Sequence, residues 1–228
     1  PVDSPYERWL VTARAEIPVM DGLVIDDVST VDLRPWPQLG DGVSGLYLRF
    51  ADYQIIDGQI LEIPPLGRTA SQRHFYEKGI YYISGLGHTV IQQEGESPKR
   101  VDWTAGAVLS IPLNVRYQHF NDGTEPARLL AVTSFPFVIN AVDNVQFIEE
   151  NPFVMRDRYD GAEDYLDRSQ AVGELNEERN FVEDARGADL RPYELRGAGS
   201  HTIRWDMAGN RMLSLHVAEM EAGTYRKA

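Results

Sequence analysis

GRTASQRHFYE, residues 67–77, opens the stretch that decides the fold of this 228-residue chain. The chain continues through the apolar run IYYI (80–83) to a second segment, AGAVLSIPLN (105–114), and the stretch closes with YQHFN (117–121). Glycine and proline separate short runs that are rich in β-branched and aromatic residues, a pattern typical of strands joined by tight turns. The stretch therefore predicts a compact set of antiparallel strands.

The same alternation of apolar and polar residues continues on both sides of this stretch. The predicted strands cover residues 46–50, 59–63, 80–84, 89–93, 101–103, 108–111, 117–120 and 128–133. The pair Asp57-Gly58 predicts a hairpin turn before the second of these strands. Many short strands at this spacing favour an all-β sandwich or barrel, in which closure of the sheet removes exposed edges.

The two segments resemble the paired motifs of the cupin superfamily, whose small antiparallel barrel often holds a metal ion. Gly85 falls on the last glycine of the first motif, and Gly106, Pro112 and Asn121 fall on the glycine, proline and asparagine of the second. The resemblance implies an all-β cupin barrel, also called a double-stranded β-helix or jelly roll, over residues 46–140.

The ligand positions of these motifs are only partly filled. A cupin site joins three imidazoles and one carboxylate, and these positions fall on Gln72, His74, Lys78 and Tyr117. Glu77 and His119 lie one and two residues from such positions, and His119 shares strand parity with Tyr117. The resemblance thus implies that a divalent metal, Fe(II) first and Mn, Ni, Cu or Zn as alternatives, would be held by Gln72, His74, Glu77 and His119.

Lys78 argues against this metal, because an ammonium group on the carboxylate position repels a divalent ion. Lys78 would then bind an anionic substrate or point into solvent. The alternative is a barrel without metal, in which His74, Tyr117 and His119 form a hydrogen-bonded polar cluster.

Three further residues are candidates for catalysis: Tyr117, Arg73 and Arg116. An arginine at the barrel mouth pairs well with a substrate carboxylate. Resemblance to the gentisate and hydroxynaphthoate ring-cleaving bicupins implies a metal-dependent dioxygenase for a small aromatic or hydroxylated acid. The alternatives are a non-catalytic cupin that binds a small molecule or mediates oligomerisation, and a metal-free acid–base isomerase.

The expected organisation has four parts. Residues 1–45 form an N-terminal helix, with Ser4, Pro5 and Glu7 as its start signals, followed by an extended arm. The barrel at 46–140 is followed by a polar, partly helical linker at 141–199, in which residues 174–186 form a charge-dense helix or linker.

Residues 200–228 would open a second barrel. This expectation rests on a weak repeat, in which residues 221–228 align with residues 65–72 and Gly223 falls on Gly67. The repeat indicates a bicupin, whereas the alternative is that the tail adds strands to the sheet of the first barrel.

Composition narrows the classes of partner. The chain has no cysteine, so it has neither disulfides nor thiolate-bound metal, and we expect a cytoplasmic protein. The formal net charge of −13 and the lack of a basic run disfavour nucleic acid, and no apolar run approaches the roughly 20 residues of a membrane span. We expect a small-molecule substrate and a homo-oligomer.

Overall fold

The computed structural model describes residues 3–207 and 210–224 and is dominated by β-sheet. The described residues form three α-helices: α1 (Pro5–Glu16), α2 (Phe135–Val142) and α3 (Val145–Glu150). The strands are β1 (Val19–Gly22), β2 (Arg34–Pro35), β3 (Ser44–Phe50), β4 (Asp57–Ile63), β5 (Lys78–Ser84), β6 (Leu86–Gln92), β7 (Lys99–Thr104), β8 (Val108–Ile111), β9 (Arg116–Asn121), β10 (Ala127–Thr133), β11 (Ser169–Ala171), β12 (Asn176–Arg179), β13 (Phe181–Val182), β14 (Arg191–Pro192), β15 (His201–Met207) and β16 (Ser214–Glu219). Short 3₁₀ helices lie at Pro37–Leu39, Ala185–Gly187 and Glu194–Arg196.

Two sheets form the barrel. The larger sheet has the order β1-β3-β4-β10-β5-β8-β13, with β2 also paired to β3, and the smaller has the order β7-β6-β9. Side chains from both sheets share one hydrophobic core, for example Leu129 of the larger sheet and Ile91 of the smaller. Each of the eight strands predicted between residues 46 and 133 is present, because their apolar positions alternate toward this core.

Helix α1 closes one side of the barrel, as the N-terminal start signals predict. The Ser4 side chain accepts a hydrogen bond from the backbone N–H of Glu7, and Pro5 occupies the first turn. The buried face of the helix includes Tyr6 and Leu10, which pack in the barrel core. Helix α1 is therefore anchored to the barrel by both capping and packing.

The predicted turn at Asp57-Gly58 is wrong. Both residues belong to β4, and the turn after β3 instead begins at Ala51, whose φ is +48°. Asp57 is fully buried. Its carboxylate accepts hydrogen bonds from the hydroxyls of Tyr47 and Thr133, which offset the free-energy cost of that burial. Long-range side-chain bonding overrides a local turn signal here.

Of the two alternatives expected for residues 174–186, the charge-dense helix is wrong, and the linker assignment stays a prediction. Strand β12 lies there and runs parallel to β15, and β13 extends the barrel sheet beside β8. Glu177 of β12 forms ion pairs with both Arg179 and Arg191. A high density of charged residues is therefore compatible with strands here, because opposite charges pair with each other.

Strands β15 and β16 form a five-stranded sheet with β11, β12 and β14, outside the two barrel sheets. Trp205 and Met207 of this C-terminal sheet pack against Val108 of the barrel and Val182 of β13. The bicupin organisation stays a prediction, and residues 225–228 of its supporting repeat lie outside the described residues. Among the residues described, no helix is both long enough and apolar enough to cross a membrane.

Candidate functional site

A row of three polar residues crosses the larger sheet at one end of the barrel. Thr133 of β10 lies opposite Asp57 of β4 on one side and opposite Lys78 of β5 on the other. Residues directly opposite in an antiparallel sheet point to the same face, so the row places a carboxylate and an amine in the barrel interior. Ala131, one step along the inward face of β10, leaves room for these long side chains because it carries only a methyl group.

Lys78 lies inside the barrel and does not reach solvent, with a side chain that is only 2% exposed. Its Nζ donates hydrogen bonds to Gln59 Oε1 at 3.1 Å and to the Tyr117 hydroxyl at 3.0 Å. Burial lowers the pKa of the Lys78 amine to about 8, while the nearby Asp57 opposes that shift. At neutral pH the barrel interior therefore contains a fixed ammonium group.

The carboxyl group of Asp57 is the acidic counterpart of the Lys78 amine in this interior. Burial raises the pKa of its carboxyl to about 7, against the hydrogen bonds from Thr133 and Tyr47 and the charge of Lys78. The Tyr47 hydroxyl also lies 3.1 Å from that of Tyr6 on helix α1. The polar interior is therefore connected to the helix that covers the barrel.

The Tyr117 hydroxyl joins three of the predicted site residues. Its oxygen lies 2.8 Å from Gln72 Oε1 and 3.0 Å from His74 Nε2, and it also accepts a hydrogen bond from Lys78 Nζ. His74 Nδ1 lies 2.9 Å from the carbonyl oxygen of Tyr76, which has no hydrogen to give, so Nδ1 is the protonated nitrogen. Burial, and then the charge of Lys78, lowers the pKa of His74 well below its usual range, so the imidazole is neutral.

His119 faces the same interior, as its strand parity predicts, but has other partners. Its Nδ1 lies 2.7 Å from Thr89 Oγ1 and its ring lies against that of Tyr117. Burial, and then Lys78, lowers its pKa to about 3. His119 is thus held as a neutral residue of the core.

Glu77 lies apart from the other predicted metal ligands. Its carboxylate accepts hydrogen bonds from the backbone N–H groups of Arg211, Met212 and Leu213, and the Arg158 guanidinium lies 3.4 Å away. These partners hold Glu77 toward the turn between β15 and β16. Its carboxylate is therefore not grouped with His74 as a metal ligand.

The donor set of the barrel interior does not fit a divalent metal. His74, Glu77 and His119 do not bring their ligand atoms within 4.8 Å of one another, and the one such group among the described residues is His88, Asp102 and Asp122. Arg100 already pairs with both carboxylates of that exposed group. In the interior, the ammonium of Lys78 occupies the centre of the polar cluster, where it repels a cation.

A cleft of about 470 Å³ opens beside this interior, and we call it the mouth cleft. Helix α1, the 3₁₀ helix after β2 and the segment before β5 form its walls, with Trp9, Trp36, Tyr76 and Phe135 as aromatic lining. Its polar lining includes Gln59, Gln72, His74, Arg73 and Arg116. The cleft therefore brings both predicted arginines to the residues that contact Lys78 and Tyr117.

Sequence reasoning missed Asp57 and Gln59 and left the direction of Lys78 open. Asp57 was assigned to a hairpin turn because glycine follows it, so it was not considered as an interior residue. The alternation of β4 was the available signal, because a polar residue at 57 or 59 shares the inward face with Leu61.

No family model matches the chain, and no curated protein matches it in sequence. Solved structures do resemble it. An oxalate decarboxylase from Lactobacillus farciminis in complex with formate is 21% identical with a TM-score of 0.40, over 45% of this chain and 30% of that one. The cupin domain of Schizosaccharomyces pombe Cnp3 is 14% identical with a TM-score of 0.40, over 49% of this chain and 73% of that one. A tomato vicilin is 13% identical with a TM-score of 0.38, over 41% of this chain and 29% of that one.

These likenesses concern the fold alone. The part of the chain that they cover spans less than a third of the oxalate decarboxylase. The described barrel strands form two sheets around one hydrophobic core, so the predicted all-β fold class is confirmed.

Proposed function

We propose that this chain is a metal-independent cupin barrel that binds a small aromatic carboxylate in the mouth cleft. The observation that carries the proposal is the buried ammonium of Lys78, which is hydrogen-bonded to Gln59 in the wall of that cleft. A buried cation favours an anionic ligand, because their attraction is little screened away from water.

The polar lining supports a carboxylate. Arg73 and Arg116 border the cleft, and guanidinium groups bind carboxylates with two parallel hydrogen bonds. Gln72 adds a polar side-chain amide to the same wall, next to the Tyr117 hydroxyl. A ligand carboxylate would accept hydrogen bonds from the two guanidinium groups.

The apolar lining supports a flat ring. Trp9, Tyr76 and Phe135 form a connected set, with ring centroids 4.7 Å apart for Trp9 and Phe135 and 5.4 Å apart for Tyr76 and Phe135. Aromatic walls with a few convergent polar groups are typical of pockets for small organic ligands.

The test is calorimetric titration of the protein with benzoate and phenylacetate, each compared with its uncharged amide and repeated with a chelator. We expect the acids to bind at least tenfold more tightly than the amides, with no effect of the chelator. Lys78→Met should weaken acid binding at least tenfold and leave amide binding unchanged. Equal binding of acid and amide would refute the proposal.

A metal-dependent dioxygenase that uses Fe(II) stays a second prediction, although the interior donor set does not favour it. Elemental analysis of the purified chain tests it. Stoichiometric iron that is lost in His74→Ala, together with oxygen uptake on an aromatic acid, would replace the metal-independent function proposed above.

A further inference from the structure

A second cleft lies on the far side of the two arginines. It has a volume of about 390 Å³ and shares Arg73 and Arg116 with the mouth cleft. The rest of its lining differs, and it includes Gln93, Asn114, Glu94 and Phe153. We call it the side cleft.

Asn114 contributes a buried acceptor to this wall. It adopts a left-handed backbone conformation with φ of +60° at the turn before β9 and is 7% exposed. Its Nδ2 donates to the carbonyl oxygens of Asn151 and Phe153, at 2.9 and 2.7 Å, which fixes the orientation of the amide. The Oδ1 atom has no partner among the described residues.

Gln93 contributes a second acceptor of the same kind. It is 3% exposed, and its Nε2 donates to Glu96 Oε1 at 3.0 Å. Its Oε1 likewise lacks a partner in the described part of the chain. Buried amide oxygens are nearly always paired, so two unpaired ones in the lining of one cleft call for a ligand with N–H donors.

The charged residues of the side cleft indicate that the ligand carries both a carboxylate and an ammonium group. Arg73 and Arg116 offer guanidinium groups, and Arg73 Nε has no partner among the described residues, although its terminal nitrogen donates to the carbonyl oxygen of Glu150. Glu94 places a carboxylate on the same cleft. Guanidinium groups suit a carboxylate, while a carboxylate and two amide oxygens suit an ammonium.

We infer that the side cleft is a binding site for a free α-amino acid with an apolar side chain. The ligand carboxylate pairs with Arg73 and Arg116. Its ammonium donates to the amide oxygens of Gln93 and Asn114, and its side chain lies against Phe153 and Pro152, which form the apolar wall. This site adjoins the proposed carboxylate site and shares its two arginines, but its ammonium-binding residues do not line the mouth cleft.

The test titrates the full chain with L-phenylalanine and with two analogues, N-acetyl-L-phenylalanine and phenethylamine. We expect phenylalanine to bind at least tenfold more tightly than either analogue, because each analogue lacks one charged group. Gln93→Met should weaken phenylalanine binding at least tenfold and leave benzoate binding unchanged. The matched control, Gln170→Met on the exposed strand β11, should change neither.

Three results would overturn the inference: no binding of phenylalanine, equal binding of the N-acetyl analogue, or full affinity in a folded Gln93→Met protein. If Gln93→Met does not fold, the comparison of the three ligands on the wild-type chain still decides. Failure of benzoate alone to bind bears only on the function proposed above.

Discussion

Glu77 and Lys78 are neighbours in the sequence, both are buried, and the protein treats their charges in opposite ways. The carboxylate of Glu77 is 4% exposed and is surrounded by three backbone N–H donors and the Arg158 guanidinium. The ammonium of Lys78 has two neutral acceptors, Gln59 and Tyr117, and a carboxylate nearby whose own pKa is raised.

The difference separates a structural charge from a functional one. Glu77 faces out of the barrel and holds the turn between β15 and β16, so its hydrogen-bonding capacity is used within the chain. Lys78 faces in, and its acceptor Gln59 lines the mouth cleft. A buried charge whose partners border a cleft indicates a binding site more strongly than one whose partners are all backbone.

The largest effect should come from Glu77→Gln. The glutamine amide keeps one acceptor oxygen, but its NH₂ group is a donor and faces backbone N–H groups that are also donors. Because these N–H groups lose their acceptor, we expect the free energy of unfolding to fall by about 3 kcal/mol. Urea denaturation at pH 7 measures it. The matched control is Glu125→Gln, an exposed position that should change stability by less than about 0.5 kcal/mol. A loss for Glu77→Gln as small as that of the control would show that the turn is held by other contacts.

The sequence predicted the barrel well, because alternation reports which strand face is buried. It predicted poorly which of the two charged side chains, Glu77 or Lys78, faces the barrel interior. A one-residue difference in register decides which of Glu77 and Lys78 enters the barrel, and the three backbone N–H partners of Glu77 lie more than 130 residues away. Gln72, His74 and Tyr117 do come together, because strand parity and the bridge between Gln72 and Tyr117 place them on one face. The alternation of β4 could have placed Asp57 inside the barrel, but its partners Tyr47 and Thr133 could not be identified from local sequence.

The next effect concerns acid stability. The pKa values of His74 and His119 are lowered in the folded chain, so the unfolded chain binds more protons below pH 6.5 and stability falls with decreasing pH, down to about pH 3 for His119. Asp57 acts in the opposite sense, because its raised pKa makes the folded chain bind more protons between pH 3.8 and about 7. Each group contributes a slope of about 1.4 kcal/mol per pH unit.

Urea denaturation of wild-type protein and His119→Asn between pH 4 and 6 checks this balance. We expect the stability of the variant to depend on pH less steeply, by about 1.4 kcal/mol per pH unit. Parallel curves for the two proteins would contradict a neutral, buried His119.

A smaller effect is expected for Lys78→Met. The methionine side chain fills the space of the lysine stem, and Asp57 compensates by taking up a proton, so the free energy of unfolding at pH 7 should change by about 1 kcal/mol or less. The same urea experiment compares it directly with Glu77→Gln. A loss equal to that of Glu77→Gln would remove the distinction between the two charges and make Lys78 a structural residue as well.

The smallest effect should be that of Arg158→Gln. The guanidinium lies 3.4 Å from Glu77 and is 18% exposed, while the backbone carbonyl of Arg158 accepts a hydrogen bond from the Tyr165 hydroxyl and so keeps the main chain in place. Because three backbone N–H groups already stabilise the Glu77 charge, the ion pair should add about 0.5 kcal/mol. A double-mutant cycle with Glu77→Gln measures this coupling free energy in urea. A coupling above about 2 kcal/mol would mean that the guanidinium, and not the turn, neutralises Glu77. The two neighbouring charges would then resemble each other, each depending on one opposite charge across the fold.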